Sequence, residues 1–287
     1  MRYILAILGT ISTVTFIIFL KRGRQYEAAV KNLDENRYPL HDLYVAGFAW
    51  GKTKLLSFQN SMVSKLKIQA GLLYNLQYAE YYANLAWSQM ITLVQLFGTI
   101  TILMAAIMYQ SVVFVLFAGG FLTLIVGVYS YTLMENDLAS RTQQCEGELP
   151  EVVSTMAILV NSGMMLREAW SMVCSSREGA FYDLMRRAEE NMKNGHSDSD
   201  AIFLFGKESN SVEIKKFASA LLQSMEKGGG ELGTFLAQQS SELWEVKRQR
   251  MLQAGEKAAT KLLLPILIIF AGVIIIVITA AFAGALF

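Results

Sequence analysis

The side chains most often used for catalysis and metal binding are few and scattered in this sequence. Its two histidines, His41 and His196, lie far apart, and neither has a cysteine or second histidine at the spacing of a zinc site. The acidic pair Glu189-Glu190 falls in a helical surface pattern, where a solvated face explains it better than general acid–base catalysis. No serine–histidine–aspartate arrangement is indicated. We therefore expect no metal, no cofactor and no enzymatic activity.

One stretch is similar to a phosphate-binding loop. Residues 46–53 read Ala-Gly-Phe-Ala-Trp-Gly-Lys-Thr, with alanine in place of the first glycine of the pattern. A true phosphate loop follows a buried strand and opens a helix within a large α/β domain. The charged segment around this stretch covers only residues 21–80 and has no acidic strand for Mg²⁺. We interpret 46–53 as an amphipathic segment with a turn at Gly51.

The composition points away from soluble proteins. Hydrophobic residues make up 53% of the 287 residues and charged residues only 17%, against roughly 25% charge in ordinary soluble domains. The formal net charge is +1, so no overall field attracts DNA or RNA, and we expect no nucleic-acid partner. A disordered or collagen-like chain is excluded by the same figures.

The apolar residues are concentrated in three uncharged blocks, at residues 3–20, 81–134 and 262–287. A membrane helix needs about 20 apolar residues, so each outer block holds one span. The middle block would be about 80 Å long as one helix, which is too long for one crossing and predicts a hairpin. The fold class is therefore an all-α membrane protein with four transmembrane helices, at 3–20, 91–109, 112–134 and 262–287.

The basic residues predict the orientation of these spans. Of the 25 lysines and arginines, Arg2 precedes the first span, nine lie in 21–80 and fifteen lie in 135–261. The positive-inside rule puts both charged segments in the cytoplasm and both termini outside. Cys145 and Cys174 would then be free thiols in a reducing compartment. The first span could instead be a signal peptide, but its apolar run is long and no cleavage motif follows it.

The second charged segment, 135–261, shows helical periodicity and no alternating strand pattern. Asn161-Ser162-Gly163, Asn194-Gly195 and Gly228 to Gly230 interrupt the apolar stripes. Ser197-x-x-Asp200 matches a helix start before a short helix at 201–205, and Ser209-Asn210-Ser211 offers caps for the next helix. Six helices of 8 to 20 residues joined by short turns predict an antiparallel six-helix cytoplasmic bundle.

An ordered set of motifs in 148–287 resembles the F-domain family of type II secretion systems, in the form found in the TadB and TadC proteins of tight-adherence (Tad) pili. The family pattern starts with an acidic-Leu-Pro step and has glycine turns, a Gln-x-x-Glu-x-x-Gly signature followed by leucine, and a last span that opens with proline. In this sequence the matching residues are Glu148, Leu149, Pro150, Gly163, Gly195, Gln223, Glu226, Gly229, Leu232 and Pro265.

The resemblance implies an inner-membrane platform protein of a bacterial pilus or secretion machine. Such a protein would couple a cytoplasmic hexameric ATPase to the extraction and polymerisation of pilin subunits, without binding nucleotide itself. The implied partners are that ATPase, a second F-domain platform protein or another copy of the chain, prepilin subunits and membrane lipid. The candidate partner-contact residues are Glu226, Glu168, Lys247, Arg248 and Arg250, with an intramolecular cap or salt bridge as the alternative for Glu226.

The predicted organisation has five segments. These are an N-terminal anchor (1–20), a cytoplasmic helical segment (21–88), a transmembrane hairpin (89–134), the F-domain bundle (135–261) and a C-terminal transmembrane helix (262–287).

Other functions stay open. The chain could be the platform of a competence or secretion pseudopilus, or a subunit of a transporter or channel. A pore would need polar residues on one face of the spans, and Thr92, Gln95, Thr99 and Thr101 are the candidates.

Overall fold

The computed structural model describes residues 2–31, 33–34, 37–53, 56–74, 76–227 and 229–285. Within these ranges the chain forms helices and turns, and no β-strand occurs. The residues divide into two compact units, unit 1 from Met1 to Thr142 and unit 2 from Gln143 to Phe287. The prediction of an all-α chain is confirmed.

Eleven α-helices are found in the described residues, several joined by single 3₁₀ turns. They are α1 (Arg2–Gly23), α2 (Glu27–Val30), α3 (Tyr44–Gly51), α4 (Ser61–Leu73), α5 (Ala79–Ile107), α6 (Val112–Asn161), α7 (Leu166–Ser176), α8 (Ala180–Lys193), α9 (Asp198–Glu208), α10 (Val212–Lys227) and α11 (Gly229–Ala285). The 3₁₀ turns cover Arg24–Tyr26, His41–Leu43, Leu76–Tyr78 and Tyr109–Ser111.

Four helical stretches are long and apolar enough to cross a membrane, which confirms the predicted number of spans. They lie within Tyr3–Val30, Leu76–Ile107, Val112–Asn161 and Glu231–Thr279. The last two stretches are much longer than a bilayer is thick, since a span needs about 20 residues. Each of these two helices therefore combines an apolar part with a polar extension.

Both prolines of the motif lie inside helices. Pro150 lies within α6, which runs without a break from Val112 to Asn161. Pro265 lies within α11, which continues into the last candidate span. An internal proline costs a helix roughly 3 kcal/mol. Around Pro150, burial of Leu149, Val152 and Val153 offsets that penalty.

Unit 1 is built on α5, against which α1, α3 and α4 all pack. Val63 and Leu66 of α4 share a buried cluster with Trp87 of α5, and Tyr44 of α3 shares another with Leu85. The indole nitrogens also have partners. Trp87 donates to the carbonyl of Leu56 at 3.0 Å.

The four polar residues considered for a pore are all hydrogen bonded within unit 1. Thr92 and Thr101 donate to backbone carbonyls one turn earlier in α5. Thr99 lies 2.7 Å from the hydroxyl of Ser12 on α1, and Gln95 accepts from the indole of Trp50 at 2.7 Å. Thr99 and Gln95 therefore join α5 to α1 and α3, whereas Thr92 and Thr101 bond within α5. These bonds are the simpler explanation of polar residues in an apolar segment.

The stretch that is similar to a phosphate loop is a helix. Residues 44–51 form α3, and all but Trp50 are buried, so the amphipathic interpretation is wrong as well. A glycine is needed at position 47, because a β-carbon there would lie 2.1 Å from the carbonyl oxygen of Ser88 on α5. Lys52 follows the helix, and its ammonium lies 5.0 Å from the ring centre of Tyr26.

We expect Gly47→Ala to destabilise unit 1, because α3 must move away from the α5 backbone. Overpacking of this kind typically costs about 1–3 kcal/mol. Thermal unfolding of the detergent-solubilised protein would measure the change. Gly98→Ala is the matched control, since nothing lies within 4 Å of a β-carbon at Gly98 and alanine favours the helix. Equal midpoints for the two variants would contradict this account of the α3–α5 contact.

Candidate functional site

The helices of unit 2 pack around one aromatic centre. Trp170 of α7 is buried and donates from its indole nitrogen to the carbonyl of Met185 on α8 at 3.1 Å. Phe205 of α9 meets Trp170 and Phe181 edge to face, with ring centres 5.1 and 5.3 Å away. Edge-to-face pairs add about 0.5–1.5 kcal/mol beyond their buried area. These aromatic contacts therefore hold α7, α8 and α9 together in the core, independently of any contact on the surface.

Two glycine turns lie at what we call the distal end of unit 2, which comprises residues 161–168, 194–198, 223–227 and 229–233. Gly163 and Gly195 have φ of +97° and +94°, a conformation that other residues adopt with strain. At each, two backbone hydrogen bonds close the preceding helix. Met164 donates to Leu159, and His196 donates to Asn191, in the Schellman pattern. The predicted role of Gly163 and Gly195 is thus supported by their geometry.

Contacts between turns bring these segments together. The side-chain amide of Asn161, at the end of α6, donates to the carbonyl of Gly233 on α11 at 3.4 Å. Arg167 at the start of α7 pairs with Asp198 at the start of α9 at 2.7 Å. These contacts place the end of α6 beside the start of α11, and the start of α7 beside the start of α9. Gly229 is the first residue of α11, and Gly228 lies outside the described residues.

The opposite end of unit 2, which we call the proximal end, comprises residues 146–151, 177–181, 209–213 and 247–250. Its first link is made by Glu148, whose carboxylate accepts from the backbone N–H of Phe181 at 2.9 Å. The residue before α8 is Gly179, which has no side chain to cap the helix. A β-carbon there would lie 2.6 Å from the Glu148 carboxylate. The acidic residue of the predicted Glu-Leu-Pro motif therefore caps a distant helix.

A second link at the proximal end joins α6, α10 and α11. Glu146 accepts from the hydroxyl of Ser211 at 2.6 Å and lies 3.4 Å from the guanidinium of Arg250. Arg250 also pairs with Glu213 in the first turn of α10. Lys247 donates to the carbonyl of Gly147 at 2.8 Å. A cavity of about 330 Å³ lies among these three helices.

The five candidate partner-contact residues do not form one site. Lys247 and Arg250 belong to the proximal network, and Arg248 is exposed on α11, 3.8 Å from Glu245. Glu168 and Glu226 lie at the distal end, where both side chains are exposed and neither forms an ion pair or hydrogen bond with another described residue. The alternative role of Glu226, an intramolecular cap or salt bridge, therefore has no support among the described contacts.

The distal end also exposes apolar side chains. Met165, close to Glu168, is 72% exposed, and Ile158, one turn before the end of α6, is 69% exposed. Gln223, one turn before Glu226, is exposed too. We call these residues, Ile158, Met165, Glu168, Gln223 and Glu226, the distal surface. The remaining motif residues, Leu149 and Leu232, are buried in the core of unit 2.

Glu189 is not on a solvated face, contrary to the expectation from its sequence pattern. Its carboxylate accepts from the hydroxyl of Ser171 at 2.6 Å and pairs with Lys193 at 2.9 Å. The thiol of Cys174 lies 3.5 Å from the same carboxylate. The hydrogen bond from Ser171 lowers the pKa of Glu189, whereas burial, helped by the nearby carboxylate, raises the pKa of Cys174 to about 11. This cluster joins α7 to α8 and holds the thiol in its neutral, unreactive form.

Other chemistry is not assembled in the described part of the chain. Within those residues, no three or more His, Cys, Asp or Glu side chains are grouped so that they could hold a metal ion. Both cysteines are buried, and neither forms a disulfide.

Comparison with known proteins agrees with one part of the sequence interpretation. The family model described as type II secretion system (T2SS), protein F matches residues 152–283, from within α6 to near the end of α11. This match supports the F-domain resemblance over those residues. The Glu148-Leu149-Pro150 motif lies just outside them. No curated protein and no solved structure matches the chain.

We expect Glu148→Ala to destabilise unit 2, because it removes the only side-chain acceptor that the described residues provide for the start of α8. Loss of a helix cap costs about 1–2 kcal/mol. Chemical unfolding followed by circular dichroism would measure it. Glu226→Ala is the control, and it should leave unfolding unchanged because that side chain has no partner in the described structure. A larger loss in the control would mean that the distal glutamate stabilises the fold.

We expect Cys174 to react slowly with iodoacetamide in the folded protein. With a pKa of about 11, the thiolate is scarce at pH 8, whereas an ordinary cysteine has a pKa of about 8.5. Labelling measured by peptide mass spectrometry should rise towards pH 11, and full labelling at pH 8 should require denaturant. A half-maximal rate near pH 8.5 in the folded protein would show that the thiol is not shielded.

Proposed function

We propose that this protein is an inner-membrane platform of a type IV-like (Tad) pilus or a type II secretion machine. F domains occur in platform proteins of type II secretion and type IV pilus systems, and proteins of this family are inner-membrane proteins. The four candidate spans agree with that location. The order of one span, a hairpin, an F domain and a last span favours the Tad-type form.

The single observation that carries the proposal is the match of residues 152–283 to the F-domain model in a chain with four candidate spans. The distribution of lysine and arginine favours an orientation with residues 21–80 and 135–261 in the cytoplasm and both termini outside. In this orientation the helices of unit 2 form the cytoplasmic bundle. Their proximal end then faces the membrane, and the distal surface faces the cytosol.

The distal surface is our candidate contact for the cytoplasmic assembly ATPase. It combines exposed Met165 and Ile158 with two glutamates that have no partner in the described structure. Exposed apolar side chains surrounded by unpaired charge are typical of interaction sites. A partner with basic residues opposite Glu168 and Glu226 would complete both features.

Helix α11 supplies a path from that surface to the membrane. It has 57 residues and would be about 85 Å long as a continuous helix. It begins at the distal end, contributes Lys247 and Arg250 to the proximal network, and then becomes the last candidate span. A displacement at the distal surface would reach the bilayer through one helix. We propose that this motion assists extraction and polymerisation of prepilin subunits.

The exposed faces of α11 leave room for membrane partners. Its side chains from Met251 to Ile278 are exposed, apart from the partly covered Gly272. Lipid, a second F-domain platform protein or another copy of this chain could cover them. Lys257 and Lys261, at the end of the polar part, are suited to anionic lipid headgroups.

Two alternatives differ in what they require. A competence or secretion pseudopilus would use the same surface with another substrate, and only its partners would distinguish it. A transporter or channel is less favoured, because Thr92, Gln95, Thr99 and Thr101 are engaged in hydrogen bonds between and within helices.

We expect Glu226→Lys to abolish piliation without lowering the protein level, because it reverses the charge of the proposed ATPase contact and touches no internal partner. Pili would be counted by electron microscopy and the protein followed by immunoblotting of membranes. Glu208→Lys is the control: Glu208 is a partly exposed glutamate at the end of α9, near the proximal end. Normal piliation in the Glu226 variant would remove that residue from the mechanism.

Crosslinked purification from membranes would test the partners directly. A photo-crosslinking residue at position 226 should capture a secretion-type ATPase, whereas one at position 208 should not. Recovery of a second F-domain protein would support the platform assignment. If neither position recovered an assembly component, and the purified protein instead carried a bound transported solute, the platform assignment would be overturned in favour of a transporter.

A further inference from the structure

A cavity in unit 1 is lined by charges of both signs beside the end of a membrane span. It has a volume of about 540 Å³, within the range of small-ligand sites. Its apolar wall includes Leu20, the last residue of the uncharged part of α1, and Val45 of α3. Its charged wall consists of Arg24, Glu27 and Asp42.

The described residues leave these charges largely unneutralised. Neither Arg24 nor Glu27 forms a side-chain ion pair or hydrogen bond with another described residue. Among the described residues Asp42 pairs only with the imidazole of His41, at 3.4 Å, and its side chain is 86% exposed. A ligand that carries only one charge would match part of this lining and be repelled by the rest. A ligand with an anionic and a cationic group would match all three side chains.

The cavity lies next to the end of a candidate membrane span, which indicates that such a ligand is a component of the membrane surface. The uncharged run of residues 3–20 ends at Leu20, and exposed Lys21 and Arg22 follow at once. Charges directly after a span lie at the level of lipid headgroups. The cavity opens at this boundary, with Leu20 on its apolar side.

The turn that carries Asp42 adds an independent observation. Leu40 has φ of +61°, the left-handed conformation that costs most side chains energy, and 56% of its surface is exposed. The 3₁₀ turn His41–Leu43 starts directly after it. A strained turn that exposes a leucine next to a charged cavity is suited to a ligand with an acyl chain beside its polar group.

We propose that this cavity binds the headgroup of a zwitterionic phospholipid with a primary ammonium group, of the phosphatidylethanolamine class. The lipid phosphate pairs with Arg24, and the ammonium donates to the carboxylates of Glu27 and Asp42. Phosphatidylcholine has the same charges but no N–H donor on its nitrogen. Phosphatidylglycerol has the phosphate and no cation. The site therefore distinguishes three lipids that share their acyl chains.

Native mass spectrometry of the full chain in detergent tests this with the three lipids at equal concentration. We expect phosphatidylethanolamine to bind at least about threefold better than phosphatidylcholine, since exposed charge pairs contribute modestly. Glu27→Gln with Asp42→Asn should remove that preference. Arg24→Gln should weaken phosphatidylethanolamine and phosphatidylglycerol alike. Glu208→Gln, which changes a partly exposed glutamate of unit 2, is the control and should leave lipid binding unchanged.

Several results would overturn the proposal. One is equal binding of phosphatidylethanolamine and phosphatidylcholine, and another is a preference that survives the double variant. Stronger binding of phosphatidylglycerol would indicate a site for anionic lipid only. If soluble phosphoethanolamine bound as tightly as the lipid, the ligand would be a free metabolite and not a membrane lipid. Thermal unfolding of each variant checks its fold, and the Arg24 variant remains a separate test if the double variant does not fold.

Discussion

Short helices joined by short turns must find partners for the backbone groups at their ends, and unit 2 is organised by this constraint. Each helix leaves four N–H groups and four carbonyls without intrahelical partners. Ser197 and Ser211 accept from N–H groups at the starts of α9 and α10. Gly163 and Gly195 close α6 and α8, and Glu148 reaches across from α6 to cap α8. Because these partners come from neighbouring turns, the contacts that complete each helix also hold the helices together.

Much of the fold could be predicted from the sequence because its signals are local. An uncharged run long enough to cross a bilayer predicts a span without reference to the rest of the chain. A serine three residues before an aspartate predicts a helix start in the same way. The glycines at 163 and 195 interrupt apolar stripes, so their turns were predictable too. The helix after Ser197 still begins at Asp198 and ends at Glu208, longer than the 201–205 expected. The first turn of α9 is polar, so the apolar periodicity did not predict those residues as helical.

The remaining features depend on residues that are distant in the chain. Glu148 and Phe181 are brought together only by the fold, so the sequence motif does not reveal that Glu148 caps α8. Gly47 and Gly233 lie within helices, where sequence alone does not reveal that Ser88 or Asn161 occupies the space of a β-carbon. The helices also continue through Pro150 and Pro265, because tertiary packing and the apolar run outweigh the local penalty. The sequence suggested individual candidate contact residues, but it did not reveal that they lie at two different ends of unit 2.

The links between α6 and α11 have a consequence for the order in which the protein folds during synthesis. Asn161 contacts Gly233, Gly147 contacts Lys247, and Glu146 contacts Arg250, so the partners are 72 to 104 residues apart. Chains emerge from the ribosome amino terminus first, at about 5–20 residues per second. The hairpin of α5 and α6 can therefore form early, while α7 to α10 remain an open chain of helices. Unit 2 closes only when the first half of α11 has been made, seconds later, so a chaperone that shields exposed apolar helices would act in this interval.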